Sequence, residues 1–271
     1  MLIHHELIDI GLNLTHDSFQ SDRESVIERA LKAGVTRMII TGASIPGSRD
    51  ALALAKTRPD LFRSTAGIHP HHAAEADGQS VAALEALHQS PEVAAVGECG
   101  LDFYRNYSPR PVQEEWFARQ LDLAARLQRP AFLHERDAHQ RFHAILREYR
   151  DRLPAVVVHC FTGDRQALLA YLDLDCHIGI TGWICDERRG KELRELVSLI
   201  PSHRLMVETD APYLLPRDLS PKPGHRRNEP AYLPHVTRSL AHFRGQSFEE
   251  VASASTENAR NFFGLESSDK A

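Results

Sequence analysis

Cysteine is scarce in this 271-residue sequence. Its four thiols, Cys99, Cys160, Cys176 and Cys185, are scattered with no C-x-x-C pair. That spacing argues against a disulfide framework and leaves them as packing residues. Long apolar runs are missing too, which excludes a bilayer-spanning helix, and the start, MLIHHELIDI, lacks the basic end and apolar core of a signal peptide. The expectation is a cytoplasmic protein with no membrane partner. Neither G-x-G-x-x-G nor a P-loop occurs, so an open, doubly wound nucleotide-binding sheet loses its main support. A strong charge of one sign is also absent: the formal net of −5 argues against bulk electrostatic coating of DNA and leaves room only for a local basic patch.

What is present is alternation. Short runs rich in β-branched and aliphatic residues fall at 7–10, 35–41, 62–67, 93–97, 130–134, 155–160, 176–180 and 204–209, with longer helical patterns between them. The helix expected over 112–127 repeats Phe117, Leu121 and Ala124 behind Pro111, and the last one opens with Ser247 and Glu250 in capping-box register and ends before Gly264. Eight strand-then-helix units without a linker predict an α/β fold, a single (β/α)8 TIM barrel of the metal-dependent hydrolase type over 1–267, with a disordered tail at 268–271.

In such a barrel the C-terminal strand ends face the active site. There the chain has His69 and His71 in GIHPHH, Glu98 in GECGLDF, His134 in AFLHERDAH, His159 in VVVHCFTG, and Glu208 and Asp210 in VETDAP. A single histidine at a strand end is ordinarily a hydrogen-bonded structural residue. Several imidazoles and carboxylates delivered to one rim are harder to explain as packing, because each costs desolvation unless paired or bound to a metal. Glu98 with His134 and His159 reads as a cation's ligands, and Asp210 as a further ligand or as the group that takes a proton from an attacking water; the reaction class is metal-assisted hydrolysis. Arg105 follows Glu98, and the Pro-rich stretch PRDLSPKPGHRRNEP carries Arg217, Lys222, Arg226 and Arg227, guanidinium forks suited to phosphate, with Phe103, Tyr104 and Trp183 as aromatics able to stack bases.

The stretches DIGLNLT, STAGIHPH, GECGLDF, RDAHQRF, HCFTG, GITGWICDERRG, ETDAPYLLPRDL, RRNEPAYLPH and ENARNFFG span nearly the whole chain in order. In them the sequence resembles the TatD family of metal-dependent deoxyribonucleases. The resemblance implies a TIM-barrel hydrolase trimming DNA, preferably single-stranded and also RNA, from the 3′ end with a divalent cation, and a role in repair after oxidative damage. Mg²⁺ is the usual ion, Mn²⁺ or Zn²⁺ the alternatives, with one or two ions bound by a monomer. Carried over by position, Glu98, His134 and His159 are the metal ligands, Asp210 the catalytic aspartate of strand 8, and His69 and His71 part of the active-site HPH motif. One departure stands out: where the wider family has Asp-x-His-x-His on strand 1, this chain has Asp9, Gly11 and Asn13. Loss of two imidazoles predicts one firmly held cation and one weak site, with Asp9 as a remnant. Two other readings use the same residues: an amidohydrolase or phosphotriesterase acting on a small molecule, and a catalytically weak nucleic-acid-binding barrel. The first would favour a carboxylated lysine where Glu98 stands.

Overall fold

The computed structural model describes residues 6–265, so the tail at 268–271 lies outside the described residues. Eight parallel strands follow one another around a single sheet in chain order: β1 (Leu7–Leu12), β2 (Val35–Ile40), β3 (Phe62–Ala66), β4 (Val93–Asp102), β5 (Ala131–Arg136), β6 (Val156–Val158), β7 (His177–Ile180) and β8 (Leu205–Val207). Helices return the chain between them: α1 (Arg23–Lys32), α2 (Ile45–Thr57), α3 (Ser80–Leu87), α4 (Arg110–Leu127), α5 (His139–Tyr149), α6 (Arg165–Asp173) and α7 (Lys191–Leu196). After β8 come a long loop, α8 (Leu233–Arg244) and α9 (Phe248–Phe263). None of the described helices is long and apolar enough to cross a membrane.

Every strand expected from the sequence is present, and the differences lie in length. β4 runs five residues past its expected end because its glycines admit close pairing with β5, where Gly100 faces His134. A Cβ on Gly100 would lie 1.9 Å from the His134 carbonyl oxygen, and φ there is +147°. Glu98 and Asp102 are therefore strand residues rather than loop residues. α4 starts at Arg110 with Pro111 in its first turn, and α9 carries the Ser247–Glu250 capping box and ends on left-handed Gly264.

The seam between β8 and β1 is not a regular ladder. Asp210 N–H donates to the Gly11 carbonyl at 2.9 Å and Asn13 N–H to that of Ala211 at 2.7 Å. The Asp9 carboxylate accepts from the Thr209 backbone N–H and hydroxyl. Asp9, fully buried, thus closes the barrel.

Inside, Ile8, Ile10, Ile39, Phe132, Val157 and Met206 fill the lower barrel, and Phe262, Phe263 and Leu265 at the end of α9 plug it from below. Burial of one such side chain contributes about 1.5–3 kcal/mol. The strand period of two then lifts His134 above Phe132, His159 above Val157 and Glu208 above Met206. The same faces that build the core aim the polar groups at the rim.

Candidate active site

Three imidazoles converge on one oxygen. Glu98 Oε1 lies 2.7 Å from His159 Nε2, 3.0 Å from His134 Nδ1 and 3.3 Å from His69 Nε2. The Glu98 side chain is 9% exposed, so its charge has these rings in place of water. Burial alone would raise its pKa, but His159 and His69 overcome it and hold Glu98 well below the usual carboxylate range.

The rings are not equivalent. His159 Nδ1 faces Glu208 Oε2 at 3.2 Å, and Glu208 is itself fixed by the Cys160 backbone N–H. Glu208 thereby turns Nε2 toward Glu98, and a ring backed by a carboxylate on its far nitrogen is the arrangement typical of a metal ligand. His134 has Nδ1 against Glu98, while its buried Nε2 lies 3.8 Å from Asp102 Oδ2, beyond hydrogen-bond length, and has no partner. His69 differs: its Nδ1 accepts the His71 backbone N–H at 3.1 Å, which places the proton on Nε2. Burial holds His69 down at about 4, so it is a neutral N–H donor. Although His69, Glu98 and His134 form a compact potential metal cluster, this tautomer removes His69 as a ligand. Glu98, His134, His159 and Asp210 remain as a donor set that fits a divalent cation: a carboxylate enclosed by imidazoles, and an orphaned ring nitrogen.

Asp210 follows β8 in the left-handed region, φ +54°, which Asp tolerates better than most residues. Asn13 Nδ2 donates to its Oδ1 at 3.2 Å. Burial pushes Asp210 up to about 7, with His159 opposing and Glu98 and Glu208 adding.

The strand 1 variant now has a geometric account. A Cβ on Gly11 would stand 2.5 Å from Glu208 Oε2, so Glu208 occupies the space a residue 11 side chain would take. Asn13 steadies Asp210, and Asp9 is committed to Thr209. Asp9 as a remnant ligand is therefore corrected: desolvation makes a fully buried carboxylate costly, and the seam hydrogen bonds offset that cost.

His71 reaches Asp102 Oδ2 at 2.7 Å, while Asp102 Oδ1 caps the turn through the backbone N–H groups of Tyr104 and Arg105. Asp102 was missed as a site residue. Its signal was the period of two in E-x-G-x-D, which puts residues 98 and 102 on one face.

A cavity of about 600 Å³ lies over these groups, lined also by Arg105, Tyr107, Trp183, Arg189 and Tyr213. It adjoins a second of about 700 Å³ that shares Trp183, Arg189 and Leu214 and adds Arg217, Lys222, His225 and Arg226. Arg217 also sits 3.4 Å from Glu187 and 3.7 Å from Asp186. Arg227 is the exception among the basic residues predicted to touch substrate. Its guanidinium grips Asp22 at 2.7 and 2.8 Å and Glu229 at 2.8 Å, with Arg29 completing the cluster, so it anchors the loop root and lines neither of these two cavities. Of the predicted aromatics Trp183 lines both cavities, whereas Phe103 lies under Arg110 and Tyr104 under Arg136. Tyr107 and Tyr213, 65% and 51% exposed, are the rim aromatics that sequence patterning did not single out.

Residues 8–264 match the family model described as TatD related DNase. The chain is 53% identical over 259 residues to the 3′-5′ ssDNA/RNA exonuclease TatD of Pantoea ananatis, covering 96% of this chain and all of that one. It is 52% identical over 257 residues to the protein of the same name from Salmonella typhimurium, covering 95% and 98%. Among solved structures, the TatD homologue YJJV of Escherichia coli K12 superimposes with a TM-score of 0.88 at 28% identity, covering 97% of this chain and all of that one. The chain belongs to the TatD-related DNase family.

Proposed function

We propose that the protein is a divalent-cation-dependent 3′-to-5′ exonuclease that removes nucleotides from single-stranded DNA and RNA. The observation that carries this reading is the convergence of His159, His134 and His69 on the single buried oxygen of Glu98. The relatives named as single-stranded DNA and RNA exonucleases support the substrate class.

Glu98, His134, His159 and Asp210 would hold the cation, which supplies Lewis acidity toward a phosphoryl oxygen and toward water. With Asp9 and the Gly11 side committed elsewhere, the protein ligands suffice for one firmly held ion. Mg²⁺ is the family's usual ion, but two imidazoles among carboxylates favour Mn²⁺. Asp210, steadied by Asn13, accepts the proton of the attacking water; the new P–O bond forms as the P–O3′ bond to the preceding nucleotide breaks, and the departing O3′ takes a proton from solvent. His69 donates from Nε2 to the phosphoryl group, and the Asp102–His71 pair fixes the motif that carries it. Arg105 at the rim and Arg189, Arg217 and Arg226 along the adjoining cavity hold phosphates of the strand, with Trp183, Tyr107 and Tyr213 as stacking faces. Two contiguous cavities, one basic, suit a chain of nucleotides better than a small molecule.

The test is digestion of 5′-labelled single-stranded oligonucleotides. Mn²⁺ or Mg²⁺ should yield a ladder shortening from the 3′ end, chelation should stop it, and Glu98→Gln should lower the rate on the order of 10³-fold, ~4 kcal/mol of barrier. A metal-loaded, folded protein that leaves the strand intact would sink the proposal.

A further inference from the structure

Away from the nuclease site, three potential metal ligands of different chemistry meet on the outer side of the long loop after β8. Cys185 ends the short helical turn after β7, Asp218 lies on the loop itself, and His235 sits in the first turn of α8. A ligand atom from each lies within 4.8 Å of the other two. None of the three lines the catalytic cavity or its basic neighbour. We propose that Cys185, Asp218 and His235 bind a thiophilic divalent cation of the Zn²⁺ class, which staples this loop to the barrel.

The donors suit such an ion. His235 Nε2 and Asp218 Oδ1 are 2.7 Å apart, so the imidazole and carboxylate already face each other. Cys185 is fully buried beneath them, its Sγ reaching the Ser239 hydroxyl at 3.4 Å, one turn beyond His235 on α8. The side chains of Asp218 and His235 are 46% and 29% exposed, giving the site a dry floor and a wet mouth. An exposed His–Asp pair alone contributes little, whereas a thiol within 4.8 Å of both supplies the third donor that a cation needs. Sulfur, imidazole nitrogen and one carboxylate oxygen form a borderline-soft set that prefers Zn²⁺ to Mg²⁺, with water completing four-coordination from the open side. Binding releases the Cys185 thiol proton to solvent, involves no change of oxidation state and requires a neutral His235.

The position gives the staple a consequence. Arg217 precedes Asp218 directly, and Lys222 and Arg226 follow on the same loop, so an ion here fixes one end of the basic wall while the Arg227–Asp22–Glu229 cluster fixes the other. This site does not depend on the nuclease reading and is tested without measuring activity.

The experiment is titration of the metal-free full chain with Co²⁺, followed by thiolate-to-cobalt charge transfer in the near ultraviolet. The band should saturate at one equivalent of this site, survive in Glu98→Gln and Cys160→Ser, vanish in Cys185→Ser and bleach on adding Zn²⁺. Asp218→Asn, a change at an exposed side chain, provides the readout if Cys185→Ser misfolds: Zn²⁺ affinity, measured by competition with a chelating dye, should fall about tenfold or more. A wild-type protein with no thiolate band, a band lost in Cys160→Ser instead, or unchanged Zn²⁺ affinity in Asp218→Asn would overturn the proposal.

Discussion

The lower and upper halves of the barrel interior are built by the same strands with opposite chemistry. Below, Phe132, Val157 and Met206 join Ile8, Ile10 and Ile39 over the plug formed by α9. Two residues further along three of those strands stand His134, His159 and Glu208, and β4 adds Glu98. The boundary is a stacked pair, with the Phe132 and His159 rings 4.5 Å apart at 25°. The lower half gains from leaving water. The upper half loses by it and is tolerable because each buried charge faces an opposite one or a hydrogen-bond donor. Rigidity for the ligand set thus comes from an apolar layer that never touches substrate.

The sharpest way to break that comparison is to hollow out the boundary. Phe132→Ala should cost about 3–5 kcal/mol, read from urea unfolding, and also weaken cation binding because His159 loses the ring it rests on. If stability falls while cation affinity stays unchanged, the layers are not coupled as described.

A second change crowds the upper half. Gly11→His, which restores the wider family's residue type, should destabilise by up to about 3 kcal/mol because its Cβ meets Glu208, and should add no cation equivalent by equilibrium dialysis. An extra bound ion at unchanged melting temperature would show that Glu208 yields.

A third, smaller effect separates histidines of the two ends. His159, between two carboxylates, is raised well above its ordinary value against the pull of burial. His177, at the start of β7, is held down to about 4, chiefly by burial and then by Arg204. Because its folded value lies below the unfolded one of about 6.5, the unfolded chain takes up the proton first. Its contribution is complete above pH 6.5, declines as pH falls and levels off below 4, about 2 kcal/mol after allowing for solvent screening. Unfolding free energies across that window should show a shallower slope in His177→Gln.

Much of this was legible in the residues. The eight β-rich runs, the helix behind Pro111 and the Ser247–Glu250 cap are local patterns with local causes, and they reappear in place. The rim histidines and Glu98 were legible because barrel topology assigns strand ends to one face. Arg227 was not: its partners, Asp22 and Glu229, are 205 and 2 residues away, and only the fold says that the distant one closes the cluster. Asp9 was misjudged for the same reason, since its contact with Thr209 spans 200 residues.

By itself the sequence determined the alternation, the strand faces and the residue types present at the rim, because periodicity and capping act over a few residues. Tertiary structure alone decided which nitrogen of each histidine faces Glu98, that Glu208 fills the space beside Gly11, and which arginines face a cavity. Those outcomes depend on angstrom-scale distances between strands far apart in the chain, where burial and pairing set each side chain's charge and partner.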